Sequence, residues 1–402
     1  SSDSKLQTIG KYAFYKTLIE SISIPQHLTH IGEYAFQHCN KLRKVEIPSD
    51  SKLQTIDKYA FSYSLIESFS IPPLMSKISE SLFYNCQKLR KIEIKDNSKL
   101  QIISKTAFSY SKIESFTIPV SLTQIDKMAF ANCEQLKRIK IPDNSQLQTI
   151  GEGSFECTSI ESIRIPSSLV DLKEGWCSGI TKLIKIEVDL NNPRYSIYDN
   201  KYLIGKTSTS QSYYDLFIFC PCNIETIIIP KFIKHICSYA FYNHHKLRSI
   251  EFLPDSELQT INKYSFSYTQ IESFSIPSKV KQIDESAFVY CKKLRMIKIL
   301  ANSELQIINR AAFANTSIES FVITPHLLKI CDTAFNKCYQ LQKVEILPNS
   351  QLQTIGKKAF SKTSIKKFTA PQHLKIIDEF AFHKCKELRK FEFLPNSELL
   401  TI

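Results

Sequence analysis

No apolar run in this chain of 402 residues approaches the ~20 residues that a membrane-spanning helix requires; the longest, such as Ile227 to Ile229, stop after a few. Glycine is scarce, with 8 in the chain. Gly151 and Gly153 in GEGSF lack the longer glycine pattern that cradles a phosphate between strand and helix, so the segment reads as a variant of the turn sequence IGKYAF. The adjacent His244 and His245 have no second histidine or carboxylate at the spacing of H-E-x-x-H, which predicts a solvated turn and no metal. Cys220 and Cys222 are one residue apart, unlike the C-x-x-C of zinc and redox sites. Ser2 and Lys5 form an S-x-x-K match at a terminus, without companion motifs. Asn315-Thr316-Ser317 is the one N-x-[ST] sequon, a chance occurrence in so polar a chain. No acid, base and nucleophile converge anywhere, so neither catalysis nor a cofactor is expected.

Charge and cysteine exclude further classes. The formal net charge is +13 and the pI near 9.0, but the basic residues are spread along the chain, denser only around Lys357, Lys358, Lys362, Lys366 and Lys367. A diffuse excess favours solubility and weak attraction to anionic surfaces; specific nucleic-acid binding would need a recognisable module. Of 12 cysteines, Cys39, Cys86, Cys133, Cys291, Cys338 and Cys385 each follow a phenylalanine by three residues, in alternate repeats. Equivalent positions two rungs apart in a parallel stack lie roughly 9 to 10 Å apart, beyond disulfide reach. They read as small buried hydrophobes, and Cys133 with Cys157 is the one pairing left open.

What is present is a clock. Phe14, Phe36, Phe61, Phe83, Phe108, Phe130 and Phe155, then Phe241, Phe266, Phe288, Phe313, Phe335, Phe360 and Phe382, alternate at intervals of 22 and 25 residues, giving a double repeat of 47. Such self-similarity marks a solenoid, whose units bury their apolar faces only by stacking. One array over 1–402 is expected. Its first and last residues, SSDSKLQTI and NSELLTI, fall at the same point of the repeat, so the chain reads as a segment of a longer array.

Residues 31 to 48, IGEYAFQHCNKLRKVEIP, show one unit. Leu42, Val45 and Ile47 give LxxIxI, a short strand that Pro48 ends, since proline has no amide hydrogen for the ladder. The Ala-Phe pair is expected on a short helical turn, with the ring inward. The fold class that follows is a solenoid of about 16 rungs, with a parallel β-sheet on one face and short helices, turns and irregular arcs on the other.

The outward strand positions alternate between neutral and charged. Ser21 and Ser23, Ser68 and Ser70, Ser115 and Thr117, and Ser273 and Ser275 are hydroxylic; Lys44 and Glu46, Lys91 and Glu93, Arg138 and Lys140, Lys185 and Glu187, Lys343 and Glu345, and Lys390 and Glu392 are charged. With Arg164, these charged residues are the candidate ligand face. Tyr63, Tyr110 and Tyr268, just after the phenylalanines, are candidates for a second contact surface. The clock breaks once: Cys177 stands where a phenylalanine is due and Phe241 follows 64 residues later. The segment at about 189–230 reads as a variant β-rich repeat, with strands around Ile197, Leu203 and Leu216 to Phe219.

The pattern IGxxAFxxCxxLxxIxIP, present from Ile31 to Pro48 and with drift in most repeats, resembles the Treponema pallidum-type, or BspA-like, leucine-rich repeats. NNPRYSIYDNKYLI followed by LFIFCPC is similar to the block that interrupts arrays of that family, with Asn200 where the family usually has glycine; His244 replaces a repeat cysteine. Residues 51 to 72 and 256 to 277 are similar to the BspA-like surface proteins of parasitic protists. The resemblance implies a leucine-rich-repeat protein at the cell surface or secreted, a surface antigen or adhesin that binds host proteins, extracellular matrix or glycans. A structural or antigenic spacer, and an intracellular interaction scaffold, are the competing expectations.

Overall fold

The computed structural model describes residues 4–394 and 396–402, so Ser2 of the S-x-x-K match lies outside the described residues. The chain divides into two compact units, Ser1–Ile197 and Tyr198–Ile402. The boundary falls inside the variant repeat.

Each turn of the first unit contributes two strands. The LxxIxI segments form the longer ones: Ser21–Ser23, Lys44–Glu46, Ser68–Ile71, Lys91–Ile94, Ser115–Thr117, Arg138–Lys140, Ser162–Ile165 and Lys185–Val188. They pair in parallel with Ser21 opposite Lys44, Ser68 opposite Lys91 and Ser115 opposite Arg138, so a hydroxyl rung alternates with a charged one, as the sequence predicts. The shorter strands are two-residue steps. Thr8–Ile9, His30–Ile31 and Thr55–Ile56 make one parallel ladder, and Lys77–Ile78 through Asp171–Leu172 another. In most of them the isoleucine is buried, which the repeat requires because consecutive side chains point to opposite faces.

The Ala-Phe arc is not helical; no helix occurs among the described residues. Residues two before and two after each phenylalanine have positive φ, for example Tyr34 (58°) and His38 (59°) around Phe36, Tyr59 (60°) and Tyr63 (61°) around Phe61. A left-handed residue at every fourth position breaks the helical run. Backbone N–H groups then alternate in destination. Tyr34, Phe36 and His38 donate to Lys58, Ala60 and Ser62 of the next rung at 3.3, 2.8 and 2.9 Å, while Ala35, Gln37 and Cys39 donate three residues back. Gly153 (φ 58°) occupies the same left-handed site, which confirms GEGSF as a turn variant.

Inside, the phenylalanine rings form a continuous near-parallel stack from Phe14 to Phe155, with centroids between 5.0 Å (Phe14 to Phe36) and 5.9 Å (Phe61 to Phe83). Beside it runs a polar column. The Cys39, Cys86 and Cys133 thiols donate to the carbonyls of Phe14, Phe61 and Phe108 at 2.9, 3.2 and 3.1 Å, and lie against Thr17, Ser64 and Ser111. The cysteines therefore add a second donor to carbonyls that already close a turn, a role beyond filling space. All twelve are free thiols, Cys133 and Cys157 included.

Asn192 closes the first unit. Its amide donates to Pro166 and Leu169 carbonyls at 2.7 and 2.8 Å, and its oxygen accepts from the N–H groups of Arg194 and Tyr195 at 2.9 and 2.7 Å. Within the NNPRYS motif, Asn192 is thus a buried cap with both ends of its amide bonded.

The second unit begins with an antiparallel pair, Tyr202–Gly205 against Leu216–Phe219, where the sequence placed strands. Buried Asp215 ties it, accepting from Thr207 N–H and Oγ1 at 2.9 and 2.7 Å. Leu216–Phe219 then pairs in parallel with His235–Ile236, and two-residue steps continue to Ile376–Ile377. Phe217 lies opposite Ile236 in register, yet its ring stacks on Phe241 at 5.0 Å. The aromatic stack therefore resumes one place earlier than the phenylalanine spacing indicated.

His244 is a second correction. The expected exposed turn is a buried site, 1% accessible, with Nε2 donating to the Cys220 carbonyl at 2.6 Å. An imidazole at the cysteine position does what the thiols do elsewhere: Cys291, Cys338 and Cys385 donate to Phe266, Phe313 and Phe360 carbonyls at 3.0, 3.1 and 3.1 Å. His245 is the exposed member of the pair.

Burial pushes the Cys86 and Cys338 thiols up to about 11, and those of Cys133 and Cys291 to about 12. Iodoacetamide at pH 8 is expected to modify exposed Cys157 in the native protein and to reach these four only in denaturant, as mass spectrometry would show. Burial also holds His244 below its ordinary value near 6.5. With a depressed folded-state pKa, the unfolded chain takes up the proton first, so stability is full above about pH 6.5 and falls as pH drops below it. His38 and His235, likewise lowered by burial, add to the trend. His244→Cys is expected to make the decline in melting temperature between pH 7 and 5 shallower.

Candidate ligand surfaces

The strand face carries the charged residues the sequence singled out, but their charges are mostly spent within each strand. Lys44 pairs with Glu46 at 2.5 Å, Lys91 with Glu93 at 2.6 Å, Lys185 with Glu187 at 2.5 Å, Lys343 with Glu345 at 2.7 Å and Lys390 with Glu392 at 2.5 Å. Side chains two apart on a strand share a face, so each lysine reaches its own glutamate. Ser23 and Ser70 of the adjoining rungs add bonds to Glu46 and Glu93 at 2.6 and 2.8 Å. Their lysines first, then these serines, hold Glu46 and Glu93 below the usual carboxylate range. Solvent and salt screen exposed pairs of this kind, so they add little stability and their main effect is to neutralise the face.

Two members differ. Arg164 bridges Asp143 and Asp189, the latter at 3.1 Å. Arg138 and Lys140 share a strand with no carboxylate and make no ion pair among the described residues, leaving a local positive rung.

The tyrosine candidates belong to rows of aromatic rings at the rim of the turns, in stacked and edge-on contacts. His38 lies on Tyr63 at 4.4 Å, Tyr63 meets Tyr84 and Tyr84 meets Tyr110 at 5.6 Å, and in the second unit Tyr268 stacks on Tyr290 at 5.0 Å. Tyr63, Tyr110 and Tyr268 all hold positive φ, so these rings sit at the left-handed sites.

The second unit presents a surface that the sequence reading missed. Its strand face includes exposed Ile228 (53%) and Met296 (51%), and Leu253, Leu300 and Leu394 recur exposed at 47-residue intervals just past the strands, with Leu347 half-buried between them. Between the last rungs lies a groove of about 810 Å³, walled by Leu347, Pro348, Pro371 and Leu394 and edged by Lys343, Lys367 and His373. The signal was present in EFLPDS, EILPNS and EFLPNS, where leucine precedes the proline that follows the strand directly in EIPSD of the first unit. Among the described residues, no cluster of three His, Cys, Asp or Glu side chains is placed to hold a metal, and no helix is long and apolar enough to cross a membrane.

Repeats that spend one longer strand, one two-residue step and one tight arc per rung, with leucine and isoleucine inward at LxxIxI, define a leucine-rich-repeat solenoid. The chain belongs to the BspA-type leucine-rich repeat family: the family model of the BspA type leucine rich repeat region, six copies, matches residues 7–127, 101–203, 213–342 and 306–402. Among solved structures it is similar to the pneumococcal vaccine antigen PcpA, at 18% identity and a TM-score of 0.62 over 95% of this chain and 89% of that one. A leucine-rich repeat protein from Eubacterium ventriosum matches at 18% identity and a TM-score of 0.57, over 94% of this chain and 88% of that one. A T. pallidum leucine-rich repeat protein matches at 21% identity and a TM-score of 0.29, over 39% and 72%. No curated protein matches the chain.

Glu392 carries the most strongly perturbed charge on the strand face, lowered to about 2 by Lys367 and then Lys390. A depressed carboxylate contributes stability that is present above its unfolded value, about 4.3, and is lost as pH falls toward 2. Glu392→Gln is expected to remove a small part of the acid-induced drop in melting temperature between pH 5 and 2, with little change at pH 7.

Proposed function

We propose that this chain is a non-enzymatic binding module, displayed at a cell surface or secreted, that engages protein or glycan ligands of host cells or extracellular matrix. The observation that carries it is the groove of the second unit: apolar walls of Leu347, Pro348, Pro371 and Leu394 under a cationic edge. Apolar anchors inside a polar rim concentrate binding energy, whereas the self-neutralised strand charges offer little. Leucine-rich-repeat proteins mediate protein interactions, and the likeness to a vaccine antigen supports an exposed location.

A spacer role is the second reading, favoured by the pairing of each strand lysine with its own glutamate. Adhesion of the fluorescently labelled chain to epithelial monolayers and to immobilised matrix separates the two. Leu347→Asp with Leu394→Asp is expected to weaken adhesion at least ~10-fold at unchanged fold, since each removes an anchor of 1–2 kcal/mol. A wild-type chain that does not adhere would favour the spacer, and adhesion that survives the double substitution would place the binding surface outside the groove.

A further inference from the structure

The left-handed site two residues after each phenylalanine changes character along the second unit. It is held by Asn243, Tyr268, Tyr290 and Asn315, then by Lys337, Lys362 and Lys384 at φ of 61°, 60° and 57°. These three are on consecutive rungs: Lys337 N–H donates to Ser361 at 2.9 Å and Lys362 N–H to His383 at 2.8 Å. Three ammonium groups thus rise from one column at rung spacings of about 5 Å. None has a carboxylate at ion-pair distance among the described residues, although Lys263, Lys357 and Lys367 of the same unit are paired.

This arrangement is unfavourable twice. Lysine gains nothing from the left-handed region, where asparagine is tolerated far better. Like charges on adjacent rungs also repel. The left-handed strain is shared by every rung and offset by stacking, but the repulsion is particular to these three lysines and points outward to a ligand.

Beside the column is a cleft of about 370 Å³, lined by Lys362, Lys384 and Lys386 together with Tyr339, Thr363, Ser364 and Glu387. The two hydroxyls are already committed: Thr363 donates to the Phe360 carbonyl and Ser364 to the Tyr339 carbonyl, both at 2.8 Å. Glu387, a carboxylate, has no hydrogen to donate to an anion and forms no ion pair among the described residues. Donor capacity in the cleft therefore rests on the ammonium groups, and the ring of Tyr339, 57% exposed, supplies one flat apolar face.

We propose that the column of Lys337, Lys362 and Lys384, with Lys386, binds a linear anionic polysaccharide running along the stack. Lysines are point charges without the planar fork that favours phosphate, and the cluster contains no arginine. A single-stranded nucleic acid would need aromatic rings for successive bases, and the cleft has one. A repeating acidic sugar instead meets one ammonium per rung and lays one ring face on Tyr339. This surface precedes the strands and is separate from the apolar groove that follows them, so the two proposals stand or fall independently.

The triple variant Lys337→Asn, Lys362→Asn, Lys384→Asn tests it, because asparagine is native at this site in other rungs and preserves the fold. Titration of the purified chain with heparin should show binding that weakens at least tenfold in the variant, with an unchanged or raised melting temperature. Changing the paired Lys91 and Lys185 to Gln should alter heparin affinity less than twofold. Binding to hyaluronan as well would show that carboxylates suffice; binding to heparin alone would show that sulfates are required. The proposal is overturned if the wild-type chain fails to bind heparin, if the triple variant binds it as well as wild type, or if a single-stranded oligonucleotide binds more tightly than heparin.

Discussion

The structure depends on a hydrogen-bonding alternation in the turns. Around each phenylalanine, one N–H closes a turn within its own rung and the next crosses to the neighbouring rung. The crossing donors include the left-handed residues at the two sites flanking the ring, and a non-glycine residue there costs roughly 1–2 kcal/mol. A rung in isolation would carry that strain and leave the crossing donors unsatisfied. Stacking supplies the acceptors, and it brings the rings into register at about 5 Å, so backbone satisfaction and core burial arrive together. Nearest-neighbour stability of this kind is what allows an array to grow by duplication.

The same accounting explains the polar residues of the interior. Turn carbonyls of alternate phenylalanines, each already bonded to the N–H three residues on, take a second bond from the cysteine thiol of the next rung, whose sulfur lies against a serine or threonine hydroxyl. Where the repeat is broken, other groups take over: Asn192 at the end of the first unit, Asp215 in the hairpin of the second, and His244 on the rung after it. Each is a polar side chain at a place where backbone groups have lost their periodic partners. Outside, the opposite holds. Lysine and glutamate two apart on one strand satisfy each other and leave the sheet face nearly inert, so recognition shifts to the rims, where leucines on one side and lysines on the other have no such partner.

Much of this was legible in the residues themselves. The phenylalanine spacing, LxxIxI and the terminating prolines placed the rungs, the inward rings and the alternation of serine with charged strands, because side-chain direction along a strand follows from a period of two. The Ala-Phe arc was misjudged as helical: tyrosine, lysine and threonine at the flanking sites give no hint of positive φ, which only the pull of the neighbouring rung stabilises. His244 looked like half of an exposed pair for the same reason; a buried carbonyl one rung away is invisible in local sequence. Phe217 was overlooked because it enters the ring stack from the isoleucine position of the ladder, off the regular spacing.

The sequence by itself determined the repeat, its period, the family and the polarity of each face, since all of these follow from side-chain chemistry recurring at fixed intervals. Only the tertiary structure decided which charges are free. Lys91 and Lys337 are indistinguishable as residues, but one lies two positions from a glutamate on the same strand face and the other stands in a column of its own kind. Whether a charge is spent inside the molecule or left for a partner depends on which side chains share its strand face and which stand on the rungs beside it, and that is set only once the chain is stacked.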